Sequence, residues 1–303
     1  MRTSSPKCIL ALDAGGTSVK LGLVLPHAIR EGVLDLLEIP MPSDGPTDQI
    51  RAAYSEATRT GMACAARRGL KVAGVGISTP GPFDYKNGVS LMDHKYAAIK
   101  GMRVRPFIEK AAGFLPIRFI HDSFAFLLGE LALGDWACYH SPCAVIIGTG
   151  LGFAAMRNGR LQRNPQGGPG ISIYRNPYRD GIAEDFVSRR GIQQRYWCLG
   201  GTGDPSVKEI AQAAKNGDAL CARVFEETGT ALAEILAPIV QEGGFDCILL
   251  GGQIAKSGPL LTVPARKRLD SLGTACTVAT ALHIDEASLV GAARLFPDGE
   301  AIS

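Results

Sequence analysis

With 303 residues, 46% of them hydrophobic and 20% charged, the chain is long enough to bury two sizeable cores and has the composition of an ordinary globular protein. A formal net charge of +3 is too small to argue for nucleic acid or an anionic membrane surface as a partner. No apolar run approaches the ~18 residues of a membrane helix. The opening MRTSSPK does not read as a signal peptide, and the eight cysteines are scattered without a CxxC pair, as expected of reduced thiols in a cytoplasmic protein.

Cys8 to Leu25 reads as strand, glycine turn and returning strand. Asp13 stands where the first apolar run ends, and Gly15 and Gly16 let the backbone turn tightly and approach a ligand. Bare N–H groups in such a turn, with the Thr17 hydroxyl, suit phosphate oxygens. Asp13 suits Mg²⁺, held directly or through water, because that ion takes one or two carboxylates and keeps its waters. Glycines that serve only the turn are the plainer reading.

Residues 39–47 read as a loop, 48–68 as a helix and 71–77 as a strand. The strand ends in Ser78-Thr79-Pro80-Gly81-Pro82, either a ligand-facing turn at the C-terminal edge of a sheet or simply a turn set by two prolines. Asp93-His94-Lys95-Tyr96 is a polar cluster without periodicity, a loop that is solvated or functional. Residues 104–112 read as a helix, and Ile117 to Gly134 as strand, junction, helix and glycine stop. Asp122, at that junction, is an N-cap or a general base, two roles one carboxylate can combine. His121 reads as a packed or solvated histidine before it reads as a proton carrier.

Ala144 to Leu161 repeats the opening plan: a buried strand, Gly148-Thr149-Gly150-Leu151-Gly152, and a second strand. Two such units about half a chain apart predict a duplicated domain, with the two hairpins clamping a nucleotide across a cleft. Neither turn is a Walker A loop, since no Gly-Lys-Ser/Thr ends it, and neither is a Rossmann fingerprint, since each leads into a strand. The cluster Cys138-Tyr-His140-Ser-Pro-Cys143 has three ligand types but no fourth nearby, so no metal is expected there. Residues 162–180 read as a loop rich in Pro, Gly, Asn and Arg, and 182–190 as a helix whose Glu184 and Asp185 suit its dipole. Two helices follow, 206–214 and 218–241, with Asp218 as an N-cap and Pro238 expected to kink or end the second. A strand at 246–250 runs into Gly251-Gly252-Gln253-Ile254-Ala255, a third glycine turn that opens a helix and is suited to the base or ribose of a nucleotide, and 288–296 reads as an apolar helix.

Five of these stretches, in order, resemble the ROK family of sugar kinases in the actin-like ATPase superfamily. Leu12-Asp13-Ala-Gly15-Gly16-Thr17-Ser-Val-Lys20 resembles the family's first phosphate motif, and Gly148-Thr149-Gly150-Leu-Gly152 the second. Gly76-Ile-Ser-Thr-Pro80-Gly81-Pro resembles its Gly-x-x-x-Pro-Gly-Pro turn, His121-Asp122-Ser-Phe-Ala-Phe-Leu-Leu-Gly-Glu130 its Asn-Asp segment, and Leu250-Gly-Gly252-Gln253-Ile-Ala its adenosine segment. The resemblance implies an α/β protein of two actin-like (ribonuclease H-like) domains, here 1–120 with 288–303 and then 121–287, around a nucleotide cleft. It implies transfer of phosphate from ATP, with Mg²⁺, to a hydroxyl of a hexose, hexose derivative or related polyol. Asp122 then matches the catalytic base, and Glu184 a glutamate that binds sugar hydroxyls. Pro80, Gly81, His121, Asp93 and His94 complete the expected acceptor side. By family analogy the protein is a homodimer. The alternative within the resemblance is a catalytically silent sugar-binding sensor.

The chain departs from the family in two places. Family members usually carry Glu-Ile-Gly-His after the second phosphate motif and then a cysteine-rich zinc loop; here Gly167 to Pro177 holds no Glu, His or Cys, so no zinc is expected. His121 also stands where the family has a sugar-binding Asn.

Overall fold

The computed structural model describes residues 5–296. The chain begins with β1 (Lys7–Ala14), β2 (Ser18–Val24) and β3 (Val33–Pro40), then α1 (Thr47–Arg67), β4 (Lys71–Thr79), and a small hairpin of β5 (Phe83–Asp84) and β6 (Val89–Ser90). It continues through α2 (Arg105–Ala112), β7 (Ile117–His121) and α3 (Asp122–Leu133). Next come β8 (Pro142–Ile147), β9 (Leu151–Arg157), β10 (Arg160–Leu161), the hairpin β11 (Pro177–Tyr178) and β12 (Gly181–Ile182), and helices α4 (Ala183–Phe186), α5 (Arg189–Cys198), α6 (Val207–Lys215) and α7 (Ala219–Gly243). The chain then runs through β13 (Cys247–Gly251), α8 (Pro259–Ser271), β14 (Thr277–Thr280) and α9 (Ala287–Ala293).

Two five-stranded sheets share one topology, in the orders β3-β2-β1-β4-β7 and β10-β9-β8-β13-β14. In each, the first three strands are joined by antiparallel pairings and the last two are added in parallel. The duplication read from the two hairpins is therefore a duplication of whole sheets, the α/β plan expected of actin-like halves.

The chain packs into two compact units, one around each sheet. One comprises residues up to Trp136, Arg163–Gly168 and the chain from Asp285; the other comprises Ala137–Gln162 and Pro169–Ile284. The sequence places the division before His121, whereas the packing places it after α3, because α3 lies against α9 in the first unit. Residues 297–303 of the expected first domain lie outside the described residues.

In the first unit, alternate residues of β1 serve opposite faces of the sheet, as strand geometry requires. Cys8, Leu10 and Leu12 pack with Ile50, Tyr54 and Ala57 of α1, whereas Ile9 and Ala11 pack with Leu289, Val290 and Ala293 of α9. The approach of α3 to α9 is backbone-close: a Cβ at Gly129 would run into the Ala287 carbonyl, and one at Gly291 into that of Ala125. The second unit buries Val145, Ile147, Phe153, Ile248 and Leu250 against Phe225, Leu232, Leu236 and Leu261 of α7 and α8.

Strands β3, β5, β6, β10, β11, β12 and β14 have no counterpart in the sequence reading, and the helix expected to open at the Gly251–Ala255 turn forms as α8, from Pro259. The helix expected over 182–190 is two, because Ser188 caps a new one by accepting the Gly191 N–H at 3.2 Å. Helix α7 does not end at Pro238 but runs on to Gly243, where Gly244 takes the left-handed conformation that closes it. Among the described residues no helix is long and apolar enough to cross a membrane.

Candidate active site

In the first unit the chemistry collects at the C-terminal edge of the sheet, where open α/β sheets take ligands. Asp13 ends β1, pairs in register with Lys20 of β2 and with Ser78 of β4, and accepts the Ser78 hydroxyl through Oδ1 at 2.6 Å. Burial pushes its carboxyl up to about 6, with Asp122 adding to the rise and the Ser78 hydrogen bond and Lys20 opposing it. One carboxylate with only one oxygen engaged fits Mg²⁺, which needs few protein ligands.

The first glycine turn is held from two sides. The Gly15 N–H donates to the Ser18 carbonyl at 2.9 Å, and the buried Tyr96 hydroxyl donates to the Gly15 carbonyl. Neither Gly15 nor Gly16 has a positive φ, so these glycines do not serve backbone conformation. They serve approach: a Cβ at Gly16 would lie 3.5 Å from the Lys95 ammonium nitrogen. Sequence reasoning named Lys95 only within a polar cluster, solvated or functional, and gave it no role of its own. Its charge also bears on Asp122, so one cation serves the glycine turn and the carboxylate together. Asp93 and His94, grouped with the acceptor residues from the sequence, are exposed instead; Asp93 pairs with Lys100 at 3.4 Å and with His94 at 3.7 Å.

At the start of α3 the N-cap is His121, and Asp122 is the first helical residue. The Asp122 carboxylate accepts the Ser123 N–H at 2.6 Å and lies 2.8 Å from His121 Nδ1. Burial works to raise this carboxyl, but His121, the Ser123 N–H and Lys95 outweigh it and hold the group below the usual carboxylate range. Thr79 pairs with His121 across β4 and β7, which sets the Pro80-Gly81 turn beside the imidazole. Tyr85 organises this corner: its hydroxyl donates to the Thr79 carbonyl at 3.3 Å and its ring lies 5.7 Å from that of His121.

The stretch Arg163–Gly168, which leads into the segment that stands in place of the family's Glu and His motif, docks on the same tyrosine. Its backbone closes on itself, with the Asn164 N–H donating to the Gly168 carbonyl at 2.8 Å and the Asn164 side chain accepting the Gly168 N–H at 3.0 Å. The Gln166 carbonyl accepts the Tyr85 N–H at 3.0 Å, and the Arg163 guanidinium donates to the Gly167 carbonyl at 3.3 Å and lies 5.3 Å from the Phe124 ring centroid.

In the second unit, Gly148, Thr149 and Gly150 form the turn between β8 and β9, with the Gly148 N–H donating to the Gly150 carbonyl at 3.0 Å. Glu184, at the start of α4, accepts the Leu151 N–H at 2.9 Å, so its carboxylate is committed to this turn. Gly252 has φ +81° and abuts the Ile147 carbonyl, a place with no room for a side chain, and Gln253 beside it is exposed. Arg179 is not free for an anionic ligand: it pairs with Glu234 at 3.5 Å, which also accepts from Tyr178 and Arg268.

The model of the ROK family matches residues 9–299. The chain belongs to the ROK family. Among relatives of this ROK protein, the beta-glucoside kinase of Listeria monocytogenes is 28% identical over 300 residues, covering 95% of this chain and 97% of that one. The glucokinase of Thermotoga maritima is 22% identical over 320 residues, covering 96% and 97%. Among solved structures, a ROK family glucokinase from Streptomyces griseus in complex with glucose and AMPPNP superposes with TM-score 0.76 at 22% identity, covering 95% of this chain and 98% of that one. A ROK family transcriptional regulator, a homologue of the E. coli MLC protein, superposes with TM-score 0.81 at 21% identity, covering 96% of this chain and 78% of that one. The fold is thus shared by kinases and regulators.

Proposed function

We infer that this ROK protein is an ATP-dependent kinase whose acceptor is a hydroxyl of a hexose, a hexose derivative or a related polyol. One observation carries the reading: Asp13, Asp122 and the Lys95 ammonium meet at the C-terminal edge of a single sheet, beside the first glycine turn. Phosphoryl transfer needs those parts, namely a carboxylate for the metal, a carboxylate that drives deprotonation of the attacking hydroxyl, and cationic and N–H groups for the phosphates. The names of the curated relatives, beta-glucoside kinase and glucokinase, point to the same chemistry.

In this reading Asp13 holds Mg²⁺ through its free oxygen, and the ion, when bound, neutralises phosphate charge. Gly15, Gly16 and Thr17 present backbone and hydroxyl donors to phosphate oxygens, as do Gly148, Thr149 and Gly150 in their own turn, and Lys20 and Lys95 add positive charge. Gly252 and Gln253 face the nucleoside. Pro80, Gly81 and His121 position the acceptor next to Asp122. Turnover of ATP at saturating Mg²⁺ across glucose, mannose, allose, their amino and N-acetyl derivatives, β-glucosides and cyclic polyols tests the reading. At least one acceptor should give ADP and phosphorylated product in equal amounts; ADP release that no acceptor stimulates would refute it.

A further inference from the structure

His121 has one ring nitrogen committed and one open. Nδ1 lies 2.8 Å from Asp122 Oδ1, 2.8 Å from Ser123 Oγ and 3.2 Å from the Ser123 nitrogen. A ring nitrogen carries a hydrogen or a lone pair, never both. With a lone pair at Nδ1, the contact to Asp122 sets two lone pairs against each other. With a hydrogen there, it is a charge-assisted hydrogen bond of ordinary length. Ser123 accommodates the second arrangement at no loss, since its hydroxyl can rotate to accept and its N–H already donates to Asp122 at 2.6 Å. Nδ1 therefore holds the hydrogen, and in the neutral ring the lone pair is on Nε2.

Nε2 has no protein partner among the described residues. It faces Gly81, where a Cβ would come within 3.4 Å of it and 3.3 Å of the Tyr85 hydroxyl oxygen. The missing side chain at Gly81 keeps that approach narrow but clear. The ring itself is fixed between Tyr85, 5.7 Å away, and Phe124, 6.3 Å away edge-on. The charged groups around it are Asp122 on its own helix, Lys95 from the loop after β6 and Asp13 from β1, both acting on Asp122, and Arg163 over the far side of Phe124.

We propose that His121 Nε2 is the atom that takes the acceptor hydroxyl's proton, with Asp122 holding the imidazole in its Nδ1–H form. This rests on the kinase reading above. The hydroxyl O–H bond breaks and its proton bonds to Nε2, while the oxygen's electron pair forms the new bond to the γ-phosphorus of ATP. The bond from that phosphorus to the bridging oxygen breaks, and ADP leaves with the electron pair. Asp122 stabilises the imidazolium, which returns its proton to water after product leaves. An imidazole with one ring nitrogen held by a carboxylate and the other open is suited to this task near neutral pH. The Asn usual in the family has no such capacity, so the substitution adds a base where the family has an amide.

Two measurements decide the matter. Long-range ¹H–¹⁵N correlation spectra of the full chain labelled with ¹⁵N-histidine, assigned with His121→Asn, should show neutral His121 as the Nδ1–H tautomer. The Nε2–H tautomer would overturn the proposal whatever the kinetics. In the second, kcat/KM for an acceptor is followed against pH at saturating Mg²⁺, which removes the titration of Asp13 from the profile. His121→Asn retains a helix cap and leaves Asp122 in place. It should lose about a hundredfold at pH 7.5, the usual scale for a general base, and its acid limb should move to lower pH. Matching profiles in the two proteins would overturn the proposal alone, whereas absence of turnover in the unaltered protein would overturn the kinase reading and this inference with it.

Discussion

The carboxylate of Glu184 accepts the N–H of Leu151 at 2.9 Å, so an acidic side chain occupies the backbone donor that follows the second glycine turn. An anion at Gly148-Thr149-Gly150 would share the turn with that carboxylate. A Cβ at Gly150 would lie only 2.7 Å from Glu184 Oε2, so the turn and the carboxylate are fitted to each other. Glu184→Gln keeps an oxygen for the Leu151 N–H and removes the charge. The variant should show a KM for ATP lowered several-fold, read from steady-state kinetics. An unchanged KM for ATP would mean that the turn does not meet phosphate.

Asp122→Asn preserves size and the contact with the Ser123 N–H but removes the ionised oxygen. It should lower kcat by about 10²-fold or more, the range for loss of a general base or of the group that orients one. Nucleotide affinity, measured by calorimetry, should stay near that of the unaltered protein. Full turnover in the variant would strip Asp122 of its assigned part.

Asp13 links pH to stability and to metal binding. Burial raises its folded-state carboxyl to about 6, so the folded protein binds this proton more tightly than the unfolded chain does. Its contribution is therefore fully present below the ordinary carboxylate value and is lost as pH rises through about 6, a loss of about 1–3 kcal/mol. Asp13→Asn should raise Tm at pH 8, should change it little at pH 4, and should abolish Mg²⁺-dependent turnover. In the unaltered protein Mg²⁺ affinity should fall as pH drops below 6, because the ion needs the ionised form. A variant with unchanged Tm at both pH values would contradict the burial argument.

Gly16→Val tests approach rather than conformation. Its φ is not in the left-handed region and its nearest neighbour is the flexible end of Lys95, so the fold should survive. The branched side chain would displace the Lys95 ammonium and cover the turn, and ATP binding should weaken about tenfold or more on calorimetric titration. Unchanged affinity in the folded variant would reduce this turn to a structural one.

Glucose should be a poor acceptor. The segment Gly167–Pro177 that stands in place of the family's Glu and His motif holds neither a Glu nor a His, so it lacks those two partners for sugar hydroxyls. Each hydroxyl left without its partner costs about 1–3 kcal/mol. A ranking of kcat/KM led by glucose would show that other groups have taken over those contacts.

The hairpins were legible because strand, glycine turn and strand punctuate the chain locally, and the ends of β1, β4 and β7 follow from runs such as Ile9–Leu12 and Ile117–Ile120. Strand β3 was not, because Leu36 and Leu37 are adjacent and exposed on an edge and Asp35 sits at φ +52°, which breaks the alternation that marks a strand. The helix expected after the third glycine turn had no legible bounds, because Pro259 and Pro264 punctuate α8, and β14 is only four residues long. Asp13 and Asp122 could be singled out in the sequence because each stands where an apolar run meets a turn or a helix start, at the ends of β1 and β7. Lys95 sits in a polar loop with no period, and only the fold carries it to Gly16. The partner of Glu184 lies 33 residues away on another element, a distance no local pattern spans.

On the ribosome, the packing of α9 against α3 and β1 reverses the order in which the two halves of this protein are finished. Everything the second sheet needs has been synthesised by Ile284, whereas the first sheet waits for Leu289, Val290, Ala293 and Phe296 to cover Ile9, Ala11 and Val24. Until those residues emerge, one face of the earliest strands stays apolar and open, and nascent chains usually complete the N-terminal unit first. A chain ended after Ile284 and released from the ribosome should therefore carry a protease-resistant second half and a first half still dependent on chaperones.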